Sequence, residues 1–396
     1  MMPEVNPDTG EILEYPVRSA FQDFFPTYQS SHFVSDVQAK AARCIMNCKT
    51  GNLGYSISLC PKCGYEKIHS CSCNNRDCPS CQAPLEKKWT MERNAELITG
   101  IAYYHVVFTV PHSLNDLFLC NQSKLYHLLF STAAESLICL CRDRKFMGAT
   151  PGIVAVLHTW GQQLNYHPHL HVCLSGGGLT PSGRFVEAKH KGFIIPKEVL
   201  GRVFRGKFLG GLKALYASES LSFSGGADPL SNPYAWKDFL DILYNTPWIP
   251  FLKETFNGNG NAVSYLARYA YRTAISNSRI RSISSDSVSL SFTDYADHNQ
   301  KKVLSLSGDE FIRRFLLHIL PKGFHRVRFF GFLANASKTR NLTLIGNLRK
   351  TPYQGNPLKG LCISDLLSIL YGPDACSCPL CHSRLTSYRS SHPPQN

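Results

Sequence analysis

The sequence contains no uninterrupted apolar run of the roughly 20 residues needed to cross a membrane. Its amino terminus, MMPEVNPDTGEILEYPV, carries acids and prolines and lacks the basic start and apolar core of a secretory signal. We therefore expect a cytoplasmic protein. Disulfides are rare in that compartment, so the 16 cysteines are expected to be metal ligands or buried thiols.

Acidic residues are also in short supply, with 28 Asp and Glu against 42 Lys and Arg and a formal net charge of +14. This balance favours a polyanionic partner, most simply nucleic acid, over acidic small molecules. The glycine-rich segment SGGGLTPSG is followed neither by a P-loop lysine nor by a predicted helix. We predict a turn there and no nucleotide-binding cradle.

Eight of the cysteines lie between residues 44 and 81, and they include the two knuckles CPKC and CPSC at CxxC spacing. Two such knuckles separated by 14 residues match a four-thiolate zinc site. A region this short, with so few large aliphatic residues, needs a metal to fold. The predicted ligands of this zinc ribbon are Cys60, Cys63, Cys78 and Cys81.

Further cysteines leave the number of metal ions open. Cys48 and Cys73, with Cys44 and Cys71 as additional candidates, could hold a second zinc ion, although free cysteines are also ordinary buried residues. The segment ACSCPLCHS near the carboxyl terminus contains a further CxxC pair. The candidate ligands of a small metal site there are Cys376, Cys378, Cys381 and His382.

The segment NYHPHLHVCLS, from Asn165 to Ser175, places His169 and His171 on either side of Leu170 in a predicted strand. Alternate strand residues point to one face, so the two imidazoles converge, and neutral imidazoles are good metal ligands. The preceding predicted strand, GIVAVLH, ends at His158. If the two strands are antiparallel neighbours, His158 faces the pair and becomes the third ligand; the alternative is a hydrogen-bonded strand-end histidine. His105, in a predicted strand over 102–110, is assigned a structural role.

The segment NAVSYLARYAYRTAIS, residues 261–276, is predicted to be a helix whose apolar side faces the core. Tyr265 and Tyr269 are four residues apart and lie opposite that side, together with Arg268 and Arg272. Two phenols beside two guanidiniums are thus presented outward, although a tyrosine pair at this spacing is also common on ordinary surfaces. The predicted buried positions are Val263, Leu266, Ala267, Ala270 and Ala274.

These motifs, in this order, resemble those of rolling-circle transposases of the HUH endonuclease superfamily, in the tandem-tyrosine insertion-sequence group of the IS91 type. The resemblance covers nearly the whole chain. It includes CNNRDCPSCQ, YYHVVFTVPHSLN, HTWGQQLNYHPHLHV, GRVFRGKFLGGL, YLARYAYRTAISNSRI and DEFIRRFLLHILPKGFHRVRFFGFLAN. It implies an α+β fold in which a zinc-binding module precedes an HUH-type antiparallel sheet with flanking helices.

The resemblance also implies roles for individual residues. His169 and His171 correspond to the pair that binds a divalent metal, Mg²⁺ or Mn²⁺, and Tyr265 and Tyr269 correspond to the tandem nucleophiles. His158 fits the third metal position by analogy. Two glutamines remain substitutes for it, because other members of the superfamily use a glutamine or an acid there. These are Gln162 and Gln163.

The implied reaction is the nicking and rejoining of single-stranded DNA, at the element ends and the target, through a 5′-phosphotyrosine intermediate. Arg268 and Arg272 are positioned to stabilise the negative charge that develops. Two alternatives stay open: a plasmid replication initiator or relaxase with the same chemistry, and a non-catalytic, zinc-dependent DNA-binding regulator. The chain departs from the family pattern at Asp77, where a basic or imidazole residue is common.

The length of 396 residues exceeds the usual size of one compact domain, and the 43% hydrophobic content suffices for ordinary cores. We predict N-terminal helices and the zinc-binding module over residues 1–95 and the catalytic domain over 96–345. The remaining segment, 346–396, is predicted to be a tail that carries the small metal knuckle.

Overall fold

The computed structural model describes residues 14–189, 194–255, 267, 269–295 and 297–390. Its architecture is α+β, with antiparallel sheets and helices packed against them, as the sequence predicts. Within the described ranges, no helix is long and apolar enough to cross a membrane.

Two helices open the described chain and pack against a helix from its second half. Helix α1 (Pro16–Ser31) begins with a proline, whose fixed φ suits a first helical turn. Helix α2 (Asp36–Asn47) is capped by Ser35, which exchanges hydrogen bonds with Gln38. The ring of Phe21 on α1 meets that of Phe315 edge to face, with centroids 4.8 Å apart, so residues far apart in sequence share one core.

A six-stranded antiparallel sheet forms the centre of the molecule, in the order β11-β4-β5-β3-β7, with β6 pairing with β5. The strands predicted over 102–110 and 152–158 are confirmed as β3 and β4. The strand bounds are β3 Tyr103–Thr109, β4 Thr150–Trp160, β5 Tyr166–Leu179, β6 Phe185–Glu187, β7 Phe251–Thr255 and β11 Val327–Gly331.

Alternation along the strands divides the central sheet into two faces. One face packs against helices through apolar residues such as Val106, Leu157 and Leu170, which are at most 1% exposed. The other face carries the histidines. The helices of this region are α4 Asn115–Cys120, α5 Gln122–Arg142, α6 Lys197–Ala217 and α7 Pro233–Asn245.

The predicted helix over residues 261–276 ends earlier than its pattern indicates. Ala267, Tyr269 and Ala270 are helical, whereas residues 271–276 are not. Tertiary hydrogen bonds replace helical ones there, because the Arg326 guanidinium donates to the carbonyl of Arg272 over 3.1 Å. The predicted burial of Ala267, Ala270 and Ala274 is confirmed, and the other two predicted positions, Val263 and Leu266, lie outside the described residues.

A three-stranded antiparallel sheet follows, and it contains the β9–β10 hairpin. Ser307 caps the next helix, α8 (Gly308–Leu316), by accepting a hydrogen bond from the Glu310 amide. The three strands are β8 Ile280–Ile283, β9 Ser287–Asp294 and β10 Gln300–Ser307.

The carboxyl-terminal strand returns to the amino-terminal part of the chain. Strand β1 (Tyr55–Leu59) lies between β2 (Glu66–Ser70) and β12 (Thr386–Ser390) in a second three-stranded sheet. The segment beyond residue 346 is therefore paired with the cysteine-rich region. The remaining helices are α3 Gln82–Asn94, α9 Lys338–Leu348 and α10 Ile363–Tyr371.

Candidate functional site

Three histidines converge on the open face of the central sheet. In the β4–β5 pairing His158 lies directly opposite His169, which confirms the predicted adjacency of the two strands. One ring nitrogen from each of His158, His169 and His171 lies within 4.8 Å of the other two. The Nε2 atoms of His169 and His171 are 3.2 Å apart. All three side chains are at most 9% exposed.

Each ring is held by a specific partner, which fixes its orientation. Nδ1 of His169 lies 2.6 Å from the carbonyl oxygen of His167, and Nε2 of His158 lies 2.6 Å from the carbonyl oxygen of Tyr269. Nδ1 of His171 lies 3.0 Å from Nε2 of His105. His105 therefore supports the histidine cluster directly, a contact that the sequence-based assignment of a general structural role did not include.

Burial keeps these histidines in the form that binds metal. It lowers the pKa of His169 to about 4 and, with the charges of neighbouring rings, lowers the pKa values of His158 and His171 well below their usual value. Near pH 7 all three imidazoles are neutral. A neutral imidazole has the lone pair that a metal ligand needs, so the cluster has the charge state of a metal site.

Tyr269 brings its phenol ring against this cluster. Its ring stacks on the His171 imidazole, with centroids 3.8 Å apart and an interplanar angle of 23°, and the side chain is half-buried. The hydrogen bond between the His158 ring and the Tyr269 carbonyl connects the segment that carries Tyr269 to strand β4. The other predicted nucleophile, Tyr265, and the predicted catalytic Arg268 lie outside the described residues.

A cleft of 690 Å³ opens over the histidines. One wall is the sheet, and the opposite wall is the end of the β9–β10 hairpin, including Phe292 and the exposed Tyr295. Arg279 fixes this hairpin by donating to the carbonyls of Ser291 and Gln162. The Gln162 side chain donates to the Tyr295 hydroxyl over 3.0 Å, so this candidate substitute ligand is engaged with the hairpin.

Eight of the 16 cysteines form two separate groups of four. In the first group the Cys81 Sγ lies 3.4 Å from the Cys48 Sγ and 3.6 Å from the Cys73 Sγ. Four sulfurs bonded to one zinc ion at about 2.3 Å are separated by about 3.8 Å in a tetrahedron, so these distances fit a four-thiolate zinc site. The first group consists of Cys48, Cys73, Cys78 and Cys81.

This arrangement corrects the predicted sharing of ligands. The grouping of Cys60 and Cys63 with Cys78 and Cys81 is wrong, because the two knuckles lie in different groups. The prediction of a separate metal site in the carboxyl-terminal segment is also wrong. Cys378 and Cys381 lie with the first CxxC knuckle, whereas Cys376 and His382 belong to neither group. The second group consists of Cys60, Cys63, Cys378 and Cys381.

A buried ion pair connects the first cysteine group with the cleft. Asp77, next to Cys78, accepts a hydrogen bond over 3.0 Å from Arg326, and both side chains are 8% exposed. Arg326 also donates to the carbonyl of Arg272, whose residue lines the cleft. Its guanidinium lies 5.5 Å from the centre of the Trp160 ring. The backbone after Tyr269 is thus tied to the cysteine-rich loop.

Comparisons with known proteins identify two matching families and two similar proteins. Residues 152–341 match a family described as putative transposase, and residues 20–110 match one described as transposase zinc-binding domain. A putative transposase, y4qJ, from Sinorhizobium fredii is 37% identical over 371 residues, which cover 92% of each chain. The transposase for insertion sequence element IS801 from Pseudomonas savastanoi pv. phaseolicola is 30% identical over 358 residues, 88% of this chain and 83% of that protein. No solved structure matches.

Proposed function

The chain belongs to the IS91-type transposases with an N-terminal zinc-binding domain, and on that premise we propose that it cleaves and rejoins single-stranded DNA by HUH-type chemistry. One observation carries this proposal. The phenol ring of Tyr269 stacks on His171 within a cluster of three buried histidines that opens into the cleft. A nucleophile and a metal-ligating cluster in one cleft are the parts that phosphoryl transfer to a tyrosine requires.

The three histidines fit a divalent metal. Their ligand nitrogens lie within 4.8 Å of one another, and burial lowers their pKa values so that they are neutral. His158, His169 and His171 would hold a divalent cation such as Mg²⁺ or Mn²⁺, which would supply positive charge next to the phosphate oxygens.

Tyr269 attacks the scissile phosphorus through its phenol oxygen. The phenol loses its proton, the bond from the phenol oxygen to phosphorus forms, and the bond from phosphorus to the 3′ oxygen breaks. The 3′ oxygen takes up a proton and leaves as a hydroxyl, and the 5′ phosphate remains on the tyrosine. One phosphoester replaces another, so the reverse reaction joins strands without ATP. Tyr265, as the second nucleophile, allows another strand to be cleaved while the first stays attached.

Guanidinium groups assist by stabilising the charge that develops on the phosphate. Arg272 and Arg279 both line the cleft. Burial and the charge of Arg272 lower the pKa of Arg279 to about 10. Arg279 remains protonated near pH 7 at that value. Arg268 is proposed to act with them from the tyrosine-bearing segment.

Transposition is favoured over the two alternatives. The relatives that match nearly the whole chain are named as transposases, which favours that role over replication initiation or conjugative nicking. A non-catalytic DNA-binding regulator has no use for three buried histidines facing a tyrosine. The formal charge of +14 suits DNA as partner in each case.

The proposal is tested by covalent capture of DNA. Purified protein is incubated with labelled single-stranded DNA that carries the element's ends, with Mn²⁺ or Mg²⁺, and the protein–DNA adduct is resolved by denaturing electrophoresis. We expect adduct with metal and none with excess EDTA. The double variant His169→Ala, His171→Ala is expected to form adduct roughly 100-fold more slowly or worse, because the several kcal/mol that a metal contributes are lost.

The matched control replaces two exposed histidines, His127→Ala and His325→Ala, and is expected to form adduct at the wild-type rate. Circular dichroism verifies that each variant is folded. Equal adduct formation by the two double variants, or by wild-type protein in EDTA, would show that the histidine cluster does not hold a catalytic metal.

Tyr295 provides a test of binding to unpaired bases. Its ring is 69% exposed at the cleft, and its hydroxyl is held by Gln162. Stacking of a base on an aromatic ring contributes roughly 1–3 kcal/mol, so Tyr295→Ala is expected to weaken binding of single-stranded DNA about 10-fold. Fluorescence anisotropy with a labelled oligonucleotide measures the change. Tyr234→Ala, at an 81% exposed tyrosine on α7, is the control and is expected to leave the affinity unchanged.

Tyr295→Phe separates stacking from the hydrogen bond, because it keeps the ring and removes the hydroxyl that Gln162 contacts. We expect affinity close to wild type for this variant. If Tyr295→Ala and Tyr234→Ala bind single-stranded DNA equally well, the hairpin is not a stacking surface.

A further inference from the structure

We propose that Cys60, Cys63, Cys378 and Cys381 bind a second zinc ion, in a site assembled from the two ends of the chain. This site is distinct from the first cysteine group and goes beyond the matched zinc-binding segment, which covers residues 20–110. Its role is to fasten the carboxyl-terminal strand to the amino-terminal sheet. It does not depend on the cleavage chemistry proposed above.

The sulfur positions support a single tetrahedral ion. The Cys60 Sγ lies 3.4 Å from the Cys381 Sγ, and the Cys63 Sγ lies 3.5 Å from the Cys378 Sγ. All four sulfurs lie within 4.8 Å of one another. These separations are close to the edge of about 3.8 Å that four zinc-bound thiolates define.

The two CxxC segments adopt the same turn. In the first, the Cys60 carbonyl accepts from the Gly64 amide over 3.0 Å, and the Cys60 amide donates to Tyr65. In the second, the Cys378 carbonyl accepts from the His382 amide over 2.9 Å, and the Cys378 amide donates to Ser383. The residue after each second cysteine has a positive φ, +73° at Gly64 and +58° at His382.

His382 adopts a left-handed backbone conformation although it is not a glycine. Glycine reaches that region at no steric cost, whereas a residue with a Cβ is disfavoured there. The second segment nevertheless matches the first. A pair of equivalent turns, each presenting two thiols to a common centre, is the arrangement of ligands that a zinc knuckle provides.

Ser383 adds a hydrogen bond that suits thiolates. Its hydroxyl oxygen lies 3.0 Å from the Cys60 Sγ and 3.0 Å from the Cys381 Sγ. A hydroxyl can donate a hydrogen bond to a thiolate, so Ser383 is placed to support both sulfurs in that form. The zinc-binding form of a cysteine is its thiolate.

The small sheet has too little apolar burial to hold its strands by packing alone. Strand β1 contributes the buried Ile57, but its neighbours in the register, Ile68 on β2 and Tyr388 on β12, are 46% and 49% exposed. Small units without a sufficient core depend on metals or other cross-links for stability. A zinc ion at the end of β1, where the Leu59 position pairs with Thr386, supplies that cross-link.

Zinc counting tests this site on the full-length protein. Protein is purified with a reducing agent and zinc, dialysed, and analysed for zinc per chain by inductively coupled plasma mass spectrometry. We expect two zinc ions in the wild type and one in Cys378→Ser, Cys381→Ser. The control, Cys362→Ser, Cys376→Ser, replaces two tail cysteines outside the group and is expected to keep two.

Limited proteolysis supplies a second measurement. The variant without the proposed second ion is expected to lose its carboxyl-terminal tail faster than the control variant, while the rest of the chain stays resistant. Cobalt substitution identifies the ligands, because tetrahedral thiolate sites give intense sulfur-to-cobalt absorption. We expect that absorption to fall by about half in the Cys378→Ser, Cys381→Ser variant.

Three results would overturn the proposal. One is a single zinc ion in the wild type that persists in the Cys378→Ser, Cys381→Ser variant. Another is two zinc ions in that variant. The third is a disulfide joining Cys60 or Cys63 to the tail in reduced, zinc-supplied protein, detected by mass spectrometry of peptides, since this would show a covalent cross-link in place of a metal.

Discussion

Replacing Tyr265 and Tyr269 together with phenylalanine is expected to abolish the covalent protein–DNA adduct. Phenylalanine keeps the ring that stacks on His171 and removes the oxygen that attacks phosphorus. Phenylalanine has no side-chain oxygen that could form a bond to phosphorus even slowly. The amount of adduct is therefore expected to fall below detection. The measurement is denaturing electrophoresis with labelled single-stranded DNA and Mn²⁺.

A third tyrosine, two residues after Tyr269, offers a close control for the tyrosine variants. Tyr271→Phe removes a phenol oxygen from a half-buried ring that packs edge to face on Trp89, with centroids 6.2 Å apart. This variant is expected to form adduct at the wild-type rate. Each single variant of Tyr265 or Tyr269 is expected to retain cleavage at one strand and to lose joining of a second. Persistent adduct in the double variant would place the nucleophile elsewhere.

Removal of the Arg326 guanidinium is expected to destabilise the protein by about 3–5 kcal/mol, because Asp77 would then be a buried charge without its main partner. Burial already raises the pKa of Asp77 in spite of two neighbouring guanidiniums, and it lowers the pKa of Arg326. Arg326→Met preserves much of the apolar volume. Urea unfolding in zinc-containing buffer, followed by circular dichroism, measures the loss.

An exposed ion pair serves as the control. Arg384 and Asp365 are 3.5 Å apart with side chains more than half exposed, and Arg384→Met is expected to cost at most about 1 kcal/mol. The double variant Asp77→Leu, Arg326→Met is expected to be more stable than Arg326→Met alone, because no unpaired charge remains. Equal losses for Arg326→Met and Arg384→Met would mean that the buried pair is effectively hydrated.

The parts of the site that lie close together in sequence could be predicted from local periodicity. The spacing of His169 and His171 on one strand fixes their common face, whatever the remainder of the fold. A short connection between two strands favours antiparallel pairing, and this places His158 opposite His169. The helical spacing likewise predicted which alanines of the tyrosine segment are buried.

Contacts between distant segments could not be predicted in the same way. Every CxxC knuckle has the same local sequence pattern, so the sequence does not indicate which two knuckles bind one metal ion. Cys60 and Cys381, which lie in one group, are 321 residues apart. The support of His171 by His105 depends on β3 lying beside β5, and chain order alone does not decide that neighbour. The early end of the tyrosine helix depends on Arg326, which comes 54 residues after Arg272.

The pairing of β1 with β12 also sets an order of events during synthesis. Leu59 and Thr386 are 327 residues apart, and ribosomes add about 5–20 residues per second. Roughly 15–60 seconds therefore pass between the emergence of β1 and that of the strand that completes its sheet. During this interval β1 has one open edge, and a nascent chain released before residue 386 never closes it. The amino-terminal sheet can therefore be completed only after translation has passed strand β12.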